Sequence, residues 1–331
     1  MRKLKYALML CFVICATQLT NAQGTLPVYS DYLSDNIFMV HPSAAGIGNS
    51  AKLRLTHRQQ WNSVGNSPSL QTLSLHGALG QNAAIGGLVF NDKNGFHSQV
   101  GVQGAYAYHL NFRSTEALNQ LSFGLAASYV QNTLDQSTFV DFDPVVSQVI
   151  ESDAYFNADL SFAYHNLDGF AYVTIKNIVL NTRQVINPEF KALNLRRYLF
   201  NVGYFFGRGQ NLQFEPSAMF QYIEATNEKL LDVNAKVYQT FGRTARVWLA
   251  LSYRRSLDRN EVQELSLLTP IAGVEFNRFL ISYTYTHQLG GLIVRDGGFH
   301  QITLGINLFN RRRSNRGYNS RYNSFLYKTN N

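Results

Sequence analysis

Beyond its first 22 residues this 331-residue chain has no cysteine. Both cysteines, Cys11 and Cys15, fall in an opening stretch that reads as a cleavable leader. Arg2, Lys3 and Lys5 precede the apolar run from Tyr6 to Ala16, and Thr20 and Ala22 stand before a cut that leaves Gln23 first. A mature chain without thiols excludes disulfide staples and thiolate metal sites, so stability must come from hydrogen bonding and packing. Long apolar runs are missing too. No stretch after residue 22 holds about 18 continuous apolar residues, which excludes a transmembrane helix.

Charge is also scarce. Charged residues make up 15% of the chain, against about 25% in an ordinary water-soluble domain. The formal net charge of +8 is misleading, because three of the positive charges sit in the leader. Six more (Arg311, Arg312, Arg313, Arg316, Arg321 and Lys328) lie in the final segment, without an acid among them. Residues 23–310 therefore carry a net −1. The basic balance belongs to a tail and not to a folded surface, so nucleic acid is not an expected partner. The eight histidines are scattered without an HExxH or other paired spacing, and no Ser–His pair stands out. No cofactor or metal is expected, and no enzymatic activity.

Aromatic residues are plentiful at 13%, with 19 Tyr and 23 Phe. They recur with a period of two. In YFNADLSFAYH (155–165), Phe156, Ala158, Leu160, Phe162 and Tyr164 alternate with Asn157, Asp159, Ser161 and Ala163. In 100–110, Val100, Val102, Tyr106, Tyr108 and Leu110 alternate with Gly101, Gln103, Ala105, Ala107 and His109. The same alternation runs through 212–222, 231–238, 279–286 and 299–309, and one apolar face per strand is its meaning. The strands expected are 51–61, 69–78, 83–92, 98–110, 119–131, 155–165, 168–177, 196–206, 211–222, 230–240, 246–255, 267–276, 279–287 and 298–309.

The links between them alternate in length. GQNA (80–83), NFRSTEAL (111–118), NL (166–167), GRGQ (207–210), GRTA (242–245) and NR (277–278) are short. The intervening links include 132–154, 178–195, 256–266 and 288–297. A secreted, aromatic-rich, charge-poor chain with this parity points to an all-β fold: a transmembrane antiparallel β-barrel of about 14 strands, with short periplasmic turns and longer extracellular loops. The expected organisation is a leader over 1–22, a periplasmic or plug segment over 23–50, the barrel over 51–309 and a basic tail over 310–331. The location is the outer membrane, with lipid as a partner of the apolar face.

On this reading the polar face lines a lumen. Arg54, Arg58, Asp159, Glu215, Asp232, Lys236 and Arg254 face inward, either as paired or hydrated wall charges or as a wall that binds a plug or cargo. Asp159→Leu should then be tolerated, whereas Leu160→Asp should cost about 1–4 kcal/mol by analogy with charges placed on a lipid face. NDKNG (91–95) is expected to be a hairpin turn and not a calcium loop. Asp135, Asp141, Asp143, Glu151 and Asp153 are expected together in the long outer loop, as solvated charge or as a bridge to surface glycolipid. The tail is either an extension near anionic lipid or a docking arm for an acidic partner.

Several of these segments together resemble the PorP/SprF outer-membrane proteins of the Bacteroidetes type IX secretion system. PVYSDYLSDNIFMVHPSAAG (27–46) is similar to the family's opening, with Tyr29, Ser30, Tyr32, Pro42 and Gly46 in place and His41 where Asn is usual. RQQWNSVGNSPSLQTLSLHG (58–77) is similar to its Arg-x-Gln-Trp hairpin, through Arg58, Gln60, Trp61, Pro68, Gln71 and Thr72. GGLVFNDKNG (86–95), RRYLFNVGYFF (196–206), FEPSAMFQY (214–222), VWLALSYR (247–254) and GFHQITLGINL (298–308) follow in order. The tail departs from the family's Lys-rich ending. The resemblance implies a non-enzymatic barrel that supports export or surface anchoring of an adhesin-like cargo through its C-terminal signal domain, alongside other secretion components. The second reading that the resemblance implies is a structural part of the trans-envelope core, contacting periplasmic ring or peptidoglycan-binding proteins. A third reading is a passive channel or hydrophobic-solute transporter plugged by residues 23–50. Arg58 and Trp61, at the rim of the hairpin that carries the resemblance, are the first candidates for partner contact.

Overall fold

The computed structural model describes residues 32–48, 50–60, 67–112, 119–135, 137, 150–179, 196–207, 210–242, 244–257, 266–289 and 298–309. Fourteen strands follow in chain order: β1 (Ala51–Gln60), β2 (Ser69–Ala78), β3 (Ala83–Asn94), β4 (His97–Asn111), β5 (Asn119–Asp135), β6 (Ile150–Asn166), β7 (Gly169–Lys176), β8 (Arg197–Tyr204), β9 (Leu212–Ile223), β10 (Glu228–Phe241), β11 (Ala245–Ser256), β12 (Ser266–Phe276), β13 (Phe279–Gln288) and β14 (Phe299–Leu308). Every strand pairs with its sequence neighbours, and β1 pairs with β14 from Ala51 opposite Leu308 to Gln60 opposite Phe299. The sheet is thus a closed barrel. Closure removes the unpaired edge that a bilayer cannot solvate.

Burial in this barrel is inverted relative to a water-soluble protein. On β4, Val100, Val102, Tyr106, Tyr108 and Leu110 are exposed, while Gln103, Ala105, Ala107 and His109 are buried. On β6, Phe156 is 70% exposed and Asp159 only 5%. The apolar residues form the outer belt, and the polar ones form the interior. That distribution is stable only with hydrocarbon outside.

The links keep the parity expected of an outer-membrane barrel. At one end, residues 167–168 and 277–278 are two-residue turns and 79–82 is a four-residue one; at the other, 136–149 and 177–196 are long. The hairpin expected over 91–95 turns at residues 95–96, with Gly95 at φ 60°, while Asn91 to Asn94 extend β3 and pair with β4 up to Asn94 opposite His97. One boundary differs substantially. β5 and β6 run on toward the outside, pairing Asn132 with Asp153 and Leu134 with Glu151. Asp135, Glu151 and Asp153 are therefore strand residues and not loop residues, whereas Asp141 and Asp143 lie outside the described residues. The ladder extends because Thr133, Ser152 and their neighbours keep the period of two, which their polarity disguised.

Two strands carry an internal proline, and each loses part of one ladder. Pairing of β8 with β9 stops at Gly203 opposite Ser217, just before Pro216. Pairing of β12 with β13 passes from Leu268 opposite His287 to Ile271 opposite Thr284, skipping Pro270. Proline has no N–H to give to the ladder.

Candidate functional site in the barrel lumen

The inner wall is built from period-two polar positions, and most of its charges are partnered. Asp232 on β10 and Arg254 on β11 stand opposite each other in register. Arg254 donates from Nε to Asp232 Oδ1 at 2.6 Å and from Nη2 to Oδ2 at 2.7 Å, a bidentate pair inside the barrel. Lys236 lies over the Trp248 ring at 3.9 Å. The Tyr238 hydroxyl donates to the Glu215 carboxylate. Arg246 and Glu275 form a looser pair at 3.9 Å.

Residues 32–48 lie against this wall. They contain two short 3-10 turns, Ile37–Met39 and Pro42–Ala44, the second opened by a proline whose missing N–H is of no consequence at that position. Val40, His41, Ser43 and Ala45 are fully enclosed. The segment bonds to strand after strand. Asn36 Nδ2 donates to Ser74 Oγ on β2 at 3.0 Å, and Gly46 N–H donates to His76 Nδ1 at 3.1 Å. His109 Nε2 on β4 donates to the Ala45 carbonyl at 3.0 Å. Ser43 and Ser161 hydroxyls meet at 2.8 Å, and His41 Nδ1 meets Thr174 Oγ1 at 2.7 Å. Lys176 Nζ donates to the Met39 carbonyl at 3.2 Å, and Lys236 Nζ donates to the Leu33 carbonyl at 3.0 Å. Tyr32 accepts from Asn234 Nδ2 at 2.8 Å and points its hydroxyl at Asp232. Gly124 on β5 lets the backbone of Pro42 and Ser43 come against the wall, where a Cβ would overlap it.

Asp35 is the only acid in this segment. Arg54 Nη2 donates to its Oδ2 at 2.7 Å and Lys52 Nζ to its Oδ1 at 3.0 Å. Burial alone would push the Asp35 carboxyl up. The charges of Lys52, Arg54 and Lys236 outweigh that and hold it well below the usual carboxylate range. Its backbone is left-handed, at φ 62°, a conformation that non-glycine residues hold only when their surroundings impose it. His41 carries a different electrostatic signature: burial, then the Lys176 charge, push its imidazole down to about 3.

Arg54, Asp159, Asp232, Lys236 and Arg254 are all buried on the inner face, and Glu215 joins them through Tyr238. Arg58 is buried near the opposite end of β1, with its guanidinium 4.5 Å from the Phe299 ring centre. In register it shares a row with Leu70 and Asp92, and both Asp92 carboxylate oxygens lack a hydrogen-bond partner among the described residues. Trp61 lies outside the described residues. Asp159 corrects the expectation of a replaceable wall charge. It accepts from Gln103 Nε2 at 2.9 Å and from the Asn177 N–H at 3.0 Å, and Lys176 stands 3.5 Å away. Replacing it with Leu would remove the acceptor of the Gln103 amide and the Asn177 N–H and the counter-charge of Lys176. Sequence reading missed Asp35 and His41, because residues 32–48 have no strand period. Lys52 was within reach of it, two positions from Arg54 on the same face. Among the described residues no group of three His, Cys, Asp or Glu side chains is placed to hold a metal.

A closed fourteen-stranded barrel with an apolar belt outside and paired charges within is an outer-membrane β-barrel. Within that class, this chain belongs to the type IX secretion system membrane protein family PorP/SprF, whose sequence model matches residues 21–306. No curated protein matches the chain. Among solved structures, the toluene transporter TbuX of Ralstonia pickettii is similar in fold, with 8% identity, a TM-score of 0.51, and coverage of 86% of this chain and 96% of that one. The CymD monoaromatic hydrocarbon channel gives 11% identity, a TM-score of 0.49, and 88% and 96% coverage. Omp33 of Acinetobacter baumannii gives 9%, 0.45, and 80% and 100%. The likeness to TbuX speaks for the barrel alone.

Proposed function

We propose that this protein is a non-enzymatic outer-membrane component of the type IX secretion system, supporting export or surface anchoring of a secreted, adhesin-like cargo through the cargo's C-terminal domain. The observation that carries the reading is the asymmetry of the two barrel ends. The walls of the closed barrel hold short turns at one end and the long links 136–149 and 177–196 at the other, and binding concentrates on loops held by such a scaffold. The lumen side favours docking over solute passage, since residues 32–48 occupy it. Co-purification from native membranes tests the reading. A large cell-surface protein as the main partner supports it. Periplasmic ring or peptidoglycan-binding proteins alone would move the protein to the structural core of the machine. Neither partner, together with solute uptake into liposomes, would overturn both.

A further inference from the structure

We propose that residues 32–48 are a releasable plug sealing an otherwise open, anion-conducting lumen, and that the clamp of Lys52 and Arg54 on Asp35 is its release point. Three observations carry this. First, the segment reaches around the barrel: Asp35 to β1, Asn36 to β2, Ala45 to β4, Ser43 to β6, His41 to β7 and Leu33 to β10. A stretch bonded to so many inward faces lies across the lumen and not along one side of it.

Second, its attachments divide into two kinds. Most are hydrogen bonds: neutral ones worth about 0.5–1.5 kcal/mol each, and charge-assisted ones from Lys176 to the Met39 carbonyl and from Lys236 to the Leu33 carbonyl. One is ionic, and it holds the only strained backbone position of the segment outside glycine. Letting Asp35 go relaxes the left-handed φ, so strain and clamp oppose each other at one residue. That opposition makes the point switchable.

Third, the wall behind the plug is not neutral. Asp35 is the only charged residue of 32–48 apart from the neutral His41. Its departure leaves, among the described residues, the buried bases Lys52, Arg54, Arg58, Lys236, Arg246 and Arg254 against the buried acids Asp92, Asp159, Asp232 and Glu275, an excess of positive charge that sets the sign of the ion that passes.

Planar-bilayer recordings on the full mature chain test the idea. The wild type is expected to be nearly silent. Asp35→Asn keeps the shape and the left-handed tolerance but drops the charge, and should raise the time spent open by about tenfold or more. Gly124→Ala attacks the plug without touching charge, by placing a methyl on the backbone of Pro42 and Ser43; it should open the barrel durably, with anion selectivity. The mature chain lacks thiols, so a Ser43→Cys, Ser161→Cys pair built into Asp35→Asn creates a unique disulfide where two hydroxyls now meet at 2.8 Å. That triple variant should be silent when oxidised and conducting after reduction, with the bond followed by gel shift. A wild type that conducts like Gly124→Ala, a silent Gly124→Ala, or an oxidised triple variant that conducts would overturn the seal. A silent Asp35→Asn beside an open Gly124→Ala would overturn the clamp as the release point. None of these outcomes depends on which cargo or partner the barrel serves.

Discussion

Asp232 and Val233 are adjacent on one strand and live in different solvents. Asp232 is 2% exposed and clamped by Arg254; Val233 is 52% exposed on the outer belt. The inner face carries charges because a partner waits for most of them across the next strand or on the plug. The outer face offers none, so it carries no charge along its middle. The contrast is therefore less about polarity than about whether a partner is within reach.

Removing a partner on the inner face should do the most damage. Asp232→Ala removes both carboxylate acceptors from the buried Arg254 guanidinium, and should cost about 3–5 kcal/mol, measured as a lower urea midpoint for the barrel in liposomes with Trp248 fluorescence as the probe. Adding a charge where no partner exists comes next. Val233→Arg should cost about 2–4 kcal/mol at the bilayer midplane, and in detergent micelles, where the belt is more yielding, the loss should shrink. If Val233→Arg proved harmless in both, the two faces would be assigned the wrong way round. Asp159→Leu should cost about 1–3 kcal/mol by removing the acceptor of Gln103 and Asn177 and the counter-charge of Lys176; a paired Lys176→Met should restore part of it.

The smallest effect tests a group that has no acid at all. His41 meets Thr174, Tyr172 and Lys176, and its Nε2 is without a hydrogen-bond partner. With its packed value depressed to about 3 from 6.5, a released His41 takes up a proton that the packed one refuses. Retention of the plug is therefore full above pH 6.5 and weakens as pH falls toward 3. At pH 6 the loss should be about 1 kcal/mol or less. His41→Asn should flatten it, read as the rate of Ser43→Cys, Ser161→Cys cross-linking at pH 7 and 6. Between pH 7 and 6 Asp35 is ionised whether packed or released, so it adds nothing there; its own contribution begins to fall only as pH nears the ordinary carboxyl value of 3.8.

The wall was legible because a barrel strand writes its two solvents into alternate residues. Arg54, Asp232 and Arg254 could be placed facing inward from the period alone. Which charges pair could not be read, because register is set by closure and by the ladder on each side. Asp232 with Arg254 needs the alignment of β10 with β11. The outer ends of β5 and β6 were lost for a related reason: beyond the lipid both faces turn polar, and the alternation has nothing left to contrast. Residues 32–48 lay beyond such reading altogether. Their structure is irregular and their partners are spread over the barrel, so no local pattern announces Asp35 as more than a loop acid.

The distances in sequence between those partners impose an order on biogenesis. Leu33 and Tyr32 bond to Lys236 and Asn234, about two hundred residues downstream. The segment precedes β10 by that length of chain, and its enclosure is complete only when β14 meets β1. Until then Val40 and Ala45, fully buried in the finished barrel, lack their enclosure. Its docking comes at the end of assembly, as the step that distinguishes a finished barrel from one that has merely closed.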